Sequence, residues 1–372
     1  MPVAITGTGL FTPPYSISNE ELVTSFNAWV DAENAENASA IERGEKRALE
    51  RSSAEFISKA SGIERRYAMD REGILDPQIM APRIAERSPD EPSLQCDMAK
   101  DAASKALEQA GLLPQDIDVL LVACSNMQRP YPAISVEVQA ALGTRGFAFD
   151  MNVACSSATF GIGTARDLIL SGSARRALVV SPEICTGHLN FRDRESHFIF
   201  GDACTAVVLE KLDETKASAP MEILGTKLVT KFSNAIRNDF GFLNRAAPEH
   251  RDEPNKLFVQ QGRKVFKEVS PMVADLISGH LDSLGIAPPS VSYTHLSPST
   301  TVMATRSTGT PPRAPLRPSR ASSTESGSWC PKSTKRSRPS STSRARGARW
   351  RAFARAKASA GTRSPHARAA TP

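Results

Sequence analysis

Short apolar runs that alternate with helix-like segments constrain the fold of this 372-residue chain more than any other feature. The run Asp118–Cys124 is almost entirely apolar, which is typical of a strand buried on both faces of a sheet. Ala177–Ser181 and Thr205–Leu212 have the same character, and amphipathic segments such as Asp97–Ala110 lie between such runs. This alternation predicts an α/β fold with a mainly parallel sheet that is covered by helices.

The N-terminal segment begins with a predicted strand that contains Gly7 and Gly9. This pattern suggests a dinucleotide-binding loop, but the third glycine of that motif would fall at Thr12, and the two prolines that follow prevent a helix from starting there. Ser18 and Glu21 have the spacing of a capping box and predict the start of a helix. The glycines therefore do not indicate a nucleotide cofactor.

A candidate nucleophile, Cys155, follows a predicted buried strand at Phe147–Val153 and precedes a predicted helix. Small polar residues occupy most of the first positions after Cys155, and apolar residues recur at helical spacing from Phe160 to Leu170. At a helix N-terminus, unpaired N–H groups and the positive end of the dipole stabilise a thiolate and lower its pKa. The alternative is a structural cysteine, because free cysteine often behaves as a small buried hydrophobe.

Other cysteine and histidine side chains have simpler interpretations. Cys124, Cys185 and Cys204 lie in or beside predicted strands, so we expect them to pack in the core. We interpret His188 and His197 as hydrogen-bonded scaffold residues. The sequence has no cysteine or histidine pairs at zinc-site spacing, and we predict no metal.

Four segments, in order along the chain, resemble the type III β-ketoacyl-acyl-carrier-protein synthases of the thiolase-like superfamily. They are Ile5–Gly9, Ser61–Arg66, Ala154–Ser157 and Phe198–Leu209. The second of these includes Gly62-Ile63-Glu64-Arg65, and the last includes Phe200-Gly201-Asp202. The resemblance covers about residues 3–290.

The resemblance implies a layered α/β/α/β/α fold made of two related halves, which forms a homodimer through the first half. It implies that Cys155 accepts an acyl group from acyl-CoA and condenses it with malonyl-acyl-carrier protein in fatty-acid biosynthesis, without a cofactor. In that family the region before Gly62 grips the nucleotide end of coenzyme A, commonly with a tryptophan and an arginine. Here Phe56 and Lys59-Ala60 stand in that region.

The composition changes abruptly at residue 291. Residues 291–372 contain 13 Arg and 3 Lys against one acid, Glu325, a net charge of +15; the whole chain carries +6, so residues 1–290 carry −9. A stretch so poor in aliphatic residues cannot bury enough apolar surface to offset its ordering entropy. We predict a thiolase-like N-terminal half at 1–220, the start of a second half at 221–290, and a disordered tail at 291–372. We interpret this tail as an out-of-frame translation.

The family's remaining catalytic residues are a histidine and an asparagine from the second half, which assist decarboxylation. The His-Gln-Ala-Asn signature should begin near residue 297, where Ser297-Pro-Ser-Thr stands, and the tail contains no asparagine. We therefore expect the sequence as written to accept an acyl group without completing condensation at a useful rate.

Two alternative functions remain open at this stage. One is a thiolase-fold enzyme with polyketide or other acyl chemistry. The other is a non-enzymatic protein whose basic tail binds nucleic acid, although we expect no nucleic-acid partner. No apolar run approaches the roughly 20 residues that span a bilayer, and no signal peptide is apparent. We therefore expect a cytoplasmic protein.

Overall fold

The computed structural model describes residues 1–239 and 245–287 and the backbone of residues 304–307. The strands are β1 (Val3–Phe11), β2 (Tyr15–Ser18), β3 (Arg65–Ala68), β4 (Val119–Ala123), β5 (Phe147–Met151), β6 (Arg176–Ile184), β7 (Asp202–Lys211), β8 (Met221–Gly225), β9 (Ile236–Arg237), β10 (Val259–Gln260) and β11 (Ala304–Ser307). The α-helices are α1 (Asn19–Glu36), α2 (Ala38–Glu42), α3 (Ala54–Ser61), α4 (Glu72–Leu75), α5 (Leu94–Ala110), α6 (Ile134–Leu142), α7 (Ser157–Leu170) and α8 (Gly262–Ser283).

The central sheet has seven strands in the order β11-β8-β1-β7-β6-β4-β5. Strand β4 pairs in parallel with β5 and β6, whereas the pairs β6–β7, β1–β7, β1–β8 and β8–β11 are antiparallel. The prediction of a mainly parallel sheet is therefore wrong. Helical crossovers α6 and α7 make the parallel pairs, but the chain returns from β6 to β7 without an α-helix, and an adjacent strand reached in that way runs antiparallel.

Helices cover both faces of this sheet. On one face α5 and α6 pack against alternate residues of β4, β6 and β7, such as Leu120, Leu178 and Val208. On the other face α7 packs against the intervening residues, such as Leu121 and Val179. All five residues of β4 are buried, as the apolar run predicts. Strand β5 is different, because it forms the edge of the sheet and is only partly buried, contrary to the buried strand predicted there.

The glycines of β1 allow α5 to lie unusually close to the sheet. A Cβ atom at Gly7 would lie 2.0 Å from the carbonyl oxygen of Ala106, and one at Gly9 would lie 1.9 Å from that of Ala102. Both distances are far inside van der Waals contact. The two glycines therefore serve helix packing, which agrees with the interpretation that they are not part of a nucleotide-binding loop.

A third apolar cluster joins α1, α3 and α4 to the loop between β6 and β7. The capping box predicted at the start of α1 is present: the Ser18 side chain accepts from the Glu21 N–H, and the Glu21 carboxylate accepts from the Ser18 N–H. The apolar cluster places the β6–β7 loop against α1 and α3.

The predicted start of a second half, residues 221–290, contains few described elements. It comprises β8 to β10 and α8, in which only His280 and Leu281 are buried. Of the predicted disordered tail, 304–307 instead forms β11 on the edge of β8; an edge strand can form there because β8 offers unpaired backbone groups. The other residues of the tail, including 297, and the regions 240–244 and 288–290 lie outside the described residues, and the division into three segments remains a prediction.

Candidate active site

The C-terminal ends of three neighbouring strands, β6, β4 and β5, meet at one edge of the sheet. Cys155 follows β5 and lies at this edge, as expected for a functional residue at the carboxyl end of parallel strands. The helix begins later than predicted: α7 starts at Ser157, with Ser156 as its N-cap residue. Cys155 therefore lies two residues before α7 and not directly at its start.

The turn that leads into Cys155 has a strained backbone. Ala154 has a φ of +47°, a left-handed conformation that non-glycine residues rarely adopt and that tends to occur at functional sites. The Ser157 hydroxyl accepts from the Val153 N–H at 2.8 Å and donates to the Ala154 carbonyl at 2.6 Å. On the other side, the Asn152 side-chain oxygen accepts from the Ala154 N–H at 2.9 Å. Local side chains thus hold a turn that presents the next residue, Cys155, outward.

Cys155 is the exposed member of the five cysteines in the described residues. Cys96, Cys124 and Cys204 are buried, and burial raises their thiol pKa values. The core prediction is therefore confirmed for Cys124 and Cys204. It is wrong for Cys185, which is only half-buried because it lies in the short turn after β6.

The predicted lowering of the Cys155 pKa is not found. Desolvation by the surrounding protein and then the Glu183 carboxylate raise the pKa of the thiol, while its own N–H, which points to the sulfur, acts in the opposite direction. Cys155 lies two residues before the first residue of α7. Accessibility, not an unusually acidic thiol, distinguishes Cys155 from the other cysteines.

The two histidines of the β6–β7 loop differ from one another. His197 is fully buried, stacks on Phe26 with ring centroids 4.5 Å apart, and contacts the carbonyl of Arg194 through Nδ1 at 3.0 Å. Burial lowers its pKa to about 4, so it remains neutral at pH 7, as a scaffold residue should. His188 contradicts the scaffold prediction, because neither of its buried ring nitrogens has a partner among the described residues. It lies beside the rings of Phe200 and Phe258, which offer no hydrogen-bond acceptor or donor.

Asp202 begins β7 within the segment that resembles the synthase pattern. One of its carboxylate oxygens accepts from the Thr186 N–H at 2.9 Å, and the other accepts from the Thr186 hydroxyl at 2.8 Å and from the Met69 N–H at 2.9 Å. Asp202 therefore ties the turn after β6 to the loop after β3, and its role is structural.

The structure adds an aromatic and cationic pair that the sequence does not reveal. The guanidinium carbon of Arg194 lies 4.4 Å from the ring centroid of Phe56. The Arg194 Nε–H donates to the carbonyl of Arg51 at 2.9 Å, and a second pair, Arg192 over Trp29, lies in the same region with a separation of 5.8 Å. Phe56 and Arg194 are 138 positions apart in the sequence, so no local pattern relates them.

Metal and membrane features are not found in the residues that the structure describes. No group of three or more histidine, cysteine, aspartate or glutamate side chains in that part of the chain could hold a metal ion. Among the described helices, none combines the length and apolar character needed to cross a bilayer.

Comparison with known proteins identifies the family. The family model of 3-oxoacyl-[acyl-carrier-protein] synthase III matches residues 149–230, which include Cys155. The chain is 60% identical over 257 residues to a β-ketodecanoyl-[acyl-carrier-protein] synthase of Pseudomonas aeruginosa, covering 69% of this chain and 73% of that relative. It is 33% identical over 249 residues to a β-ketoacyl-[acyl-carrier-protein] synthase III of Cereibacter sphaeroides, covering 66% and 68% of the two chains.

The fold comparison agrees. A crystal structure of 3-oxoacyl-[acyl-carrier-protein] synthase III from Aquifex aeolicus superposes with a TM-score of 0.57 at 24% identity, covering 78% of this chain and 74% of the other. The predicted thiolase-like fold is thereby confirmed, and the alternative of a non-enzymatic nucleic-acid-binding protein is not supported. The chain belongs to the 3-oxoacyl-[acyl-carrier-protein] synthase III family of condensing acyltransferases.

Proposed function

We propose that Cys155 is the acyl-carrying nucleophile of this chain. Its sulfur attacks the carbonyl of an acyl-CoA, the tetrahedral intermediate collapses, and coenzyme A leaves as its thiol, so that the acyl group remains on Cys155 as a thioester. In the second step the carbanion released by decarboxylation of malonyl-acyl-carrier protein attacks this thioester and frees the cysteine. The observation that carries the proposal is the exposed thiol that directly follows the strained Ala154.

The Cys155 N–H is a candidate donor for the oxyanion of the tetrahedral intermediate. It points to its own sulfur, so a carbonyl carbon bonded to that sulfur brings its oxygen near the same donor.

The test of the proposed function is incubation of the full chain with labelled acyl-CoA, followed by peptide mapping. We expect the label on the Cys155 peptide, and a label elsewhere would contradict the assignment.

We infer that the preferred primer is an octanoyl group. The Pseudomonas aeruginosa relative is named for a β-ketodecanoyl product. Decarboxylative condensation lengthens the primer by one acetyl unit, so a product of decanoyl length requires an octanoyl primer. In the same labelling experiment, octanoyl-CoA should acylate Cys155 faster than acetyl-CoA does.

The nucleotide end of coenzyme A is proposed to bind at Phe56 and Arg194. Their separation of 4.4 Å is that of a cation–π pair, and both side chains are half-buried, so each keeps an exposed surface on which an adenine ring can stack. This pair supplies the aromatic ring and the guanidinium that the family uses there, although the arginine comes from the β6–β7 loop.

Replacing Phe56 with alanine should raise the acyl-CoA concentration needed for half-maximal acylation about 10-fold, since one base–aromatic stack contributes about 1–3 kcal/mol. The rate at saturation should change little. An acyl-pantetheine substrate, which lacks the nucleotide, is the matched control and should be affected much less. Equal losses with both substrates would show that Phe56 acts on the fold and not on the nucleotide.

A second copy of the chain is proposed as a partner through the β5 edge. Strand β5 ends the sheet, Phe147 is 43% exposed, and the Phe147 and Phe149 rings stack on each other. An apolar, unpaired edge favours pairing with another strand. Sedimentation velocity should show a dimer at micromolar concentration, and Phe147→Lys should shift it toward monomer. A wild-type monomer at that concentration would contradict the proposal.

The acyl-carrier protein is proposed as the partner in the second step. The relatives are named as acyl-carrier-protein synthases, and the start of α8 exposes three basic side chains where the helix dipole would favour acids. They are Arg263, Lys264 and Lys267. Such a cationic surface suits an acidic partner, and a charge reversal there should weaken binding of the acyl-carrier protein but leave acylation by acyl-CoA unchanged.

A further inference from the structure

A continuous chain of hydrogen bonds crosses the ends of the three strands at the site. The Asn152 side chain, after β5, donates from Nδ2 to the Ser125 carbonyl at 2.7 Å. Ser125 follows β4, and its N–H and hydroxyl donate to the two carboxylate oxygens of Glu183 at 2.7 and 2.5 Å. Glu183 lies near the end of β6. The chain therefore runs from Glu183 through Ser125 to Asn152.

Asn152 connects this chain to the strained turn. While its Nδ2 group donates to Ser125, its Oδ1 atom accepts from the Ala154 N–H at 2.9 Å. The backbone that places Cys155 is thus tied to the neighbouring strand β4 and not only to its own helix. A strained conformation persists only where the surroundings over-determine it, and Asn152 and Ser157 hold Ala154 from opposite sides.

Glu183 places a carboxylate at the same strand ends. No lysine or arginine pairs with its carboxylate in the part of the chain that the structure describes, and burial raises its pKa. Its carboxylate raises the pKa of the Cys155 thiol. The ionisable groups that face Glu183 from the surrounding elements are the thiols of Cys124, Cys155, Cys185 and Cys204 and the carboxyl of Asp202.

We propose that Asn152, Ser125 and Glu183 are positioning residues for Cys155: Asn152 holds the strained turn against β4, and Glu183 ends the same hydrogen-bond chain with a negative charge. This proposal rests on the proposed role of Cys155 as the acyl carrier. The charge disfavours the thiolate but not the neutral thioester, so it favours the acylated state. It also keeps the thiolate strongly nucleophilic, because nucleophilicity falls as a thiol becomes more acidic.

The first arm of the test measures the pH dependence of Cys155 alkylation by iodoacetamide in the full chain. Glu183→Gln preserves the shape of the side chain and removes its charge, so the midpoint should move about one pH unit lower. The matched control is Glu210→Gln, which removes a 2% exposed carboxylate at the opposite end of the sheet. The control midpoint should equal that of the wild type, and an unchanged midpoint in folded Glu183→Gln would overturn the electrostatic part of the proposal.

The second arm separates placement from charge. Asn152→Ala should slow acylation by acyl-CoA about 10-fold, because a bulky substrate needs an oriented sulfur, while the alkylation midpoint should stay close to that of the wild type. Ser125→Ala removes the hydroxyl that bonds Glu183 but keeps the carbonyl that Asn152 bonds, so it should slow acylation less than Asn152→Ala does. Wild-type acylation in Asn152→Ala would overturn the placement role.

The two arms distinguish this proposal from the proposed function. If acyl-CoA labels a residue other than Cys155, the proposed function is wrong, and the alkylation midpoints still decide whether Glu183 controls the thiol. If Cys155 carries the label but the Glu183 and Asn152 variants behave like the wild type, the proposed function stands and the positioning roles are wrong.

Discussion

Serine in place of Cys155 is expected to reduce acyl transfer from acyl-CoA to this chain by about 10³-fold or more, because removing a nucleophile removes the covalent route itself. The substitution exchanges one sulfur for oxygen at an exposed position, so the fold should be unaffected. Stopped acylation mixtures analysed by intact mass give the measurement directly. A variant that still acquires the acyl group at the wild-type rate would remove Cys155 from the mechanism.

Cys185→Ser is the matched control for this substitution. Cys185 lies 3.7 Å from Glu183, the same carboxylate that acts on Cys155, but it is half-buried in the turn after β6. Its replacement should leave acylation within a few-fold of the wild type.

Condensation with malonyl-acyl-carrier protein, measured in parallel, should remain very low in the sequence as written, since the expected histidine and asparagine signatures do not occur at their predicted positions near and after residue 297.

Gly9→Ala is expected to produce a large loss of stability. The added Cβ atom would lie 1.9 Å from the carbonyl oxygen of Ala102 and 2.9 Å from the Ala106 backbone nitrogen. Both contacts are backbone, so α5 must move away from β1 and open the core between them. Overpacking of this kind costs about 3 kcal/mol or more, a large share of a typical domain's stability. Urea unfolding followed by circular dichroism measures the loss.

Gly279→Ala is the control for the glycine change itself. Gly279 lies inside α8, and a Cβ atom there would approach only the flexible end of Lys227 at 3.5 Å. Alanine is a better helix former than glycine, so this variant should be unchanged or more stable by about 0.5–1 kcal/mol. Similar urea midpoints for the two alanine variants would show that the β1–α5 contact is not as close as described.

Several features could be predicted from local patterns alone. The apolar run of β4, the capping box at Ser18 and the strand–cysteine–helix order around Cys155 all appear in the structure, with small shifts at their ends. These features depend on neighbours within a few residues. Periodicity, capping chemistry and side-chain volume therefore suffice to determine them, and the motif order was enough to indicate the family.

The direction of the strands needed tertiary information. Alternating strands and helices predicted parallel pairing, but β7 and β1 lie between β6 and β8 in antiparallel order. An apolar run indicates that a strand is buried on both faces, but it does not indicate the direction of the strand, so the same pattern fits parallel and antiparallel pairing. The role of Gly7 and Gly9 also needed tertiary information, because the helix that packs against them, α5, comes about 100 positions later in the chain.

The sequence by itself determined the candidate nucleophile, Cys155, the elements beside it and the family to which the chain belongs. Only the tertiary structure decided that Arg194 lies over Phe56, that Glu183 and Asn152 meet through Ser125, and that the surroundings raise the Cys155 pKa. The reason is physical: hydrogen bonds, charge and desolvation at this site come from strand ends that are distant in sequence, and they become neighbours only when the sheet has assembled.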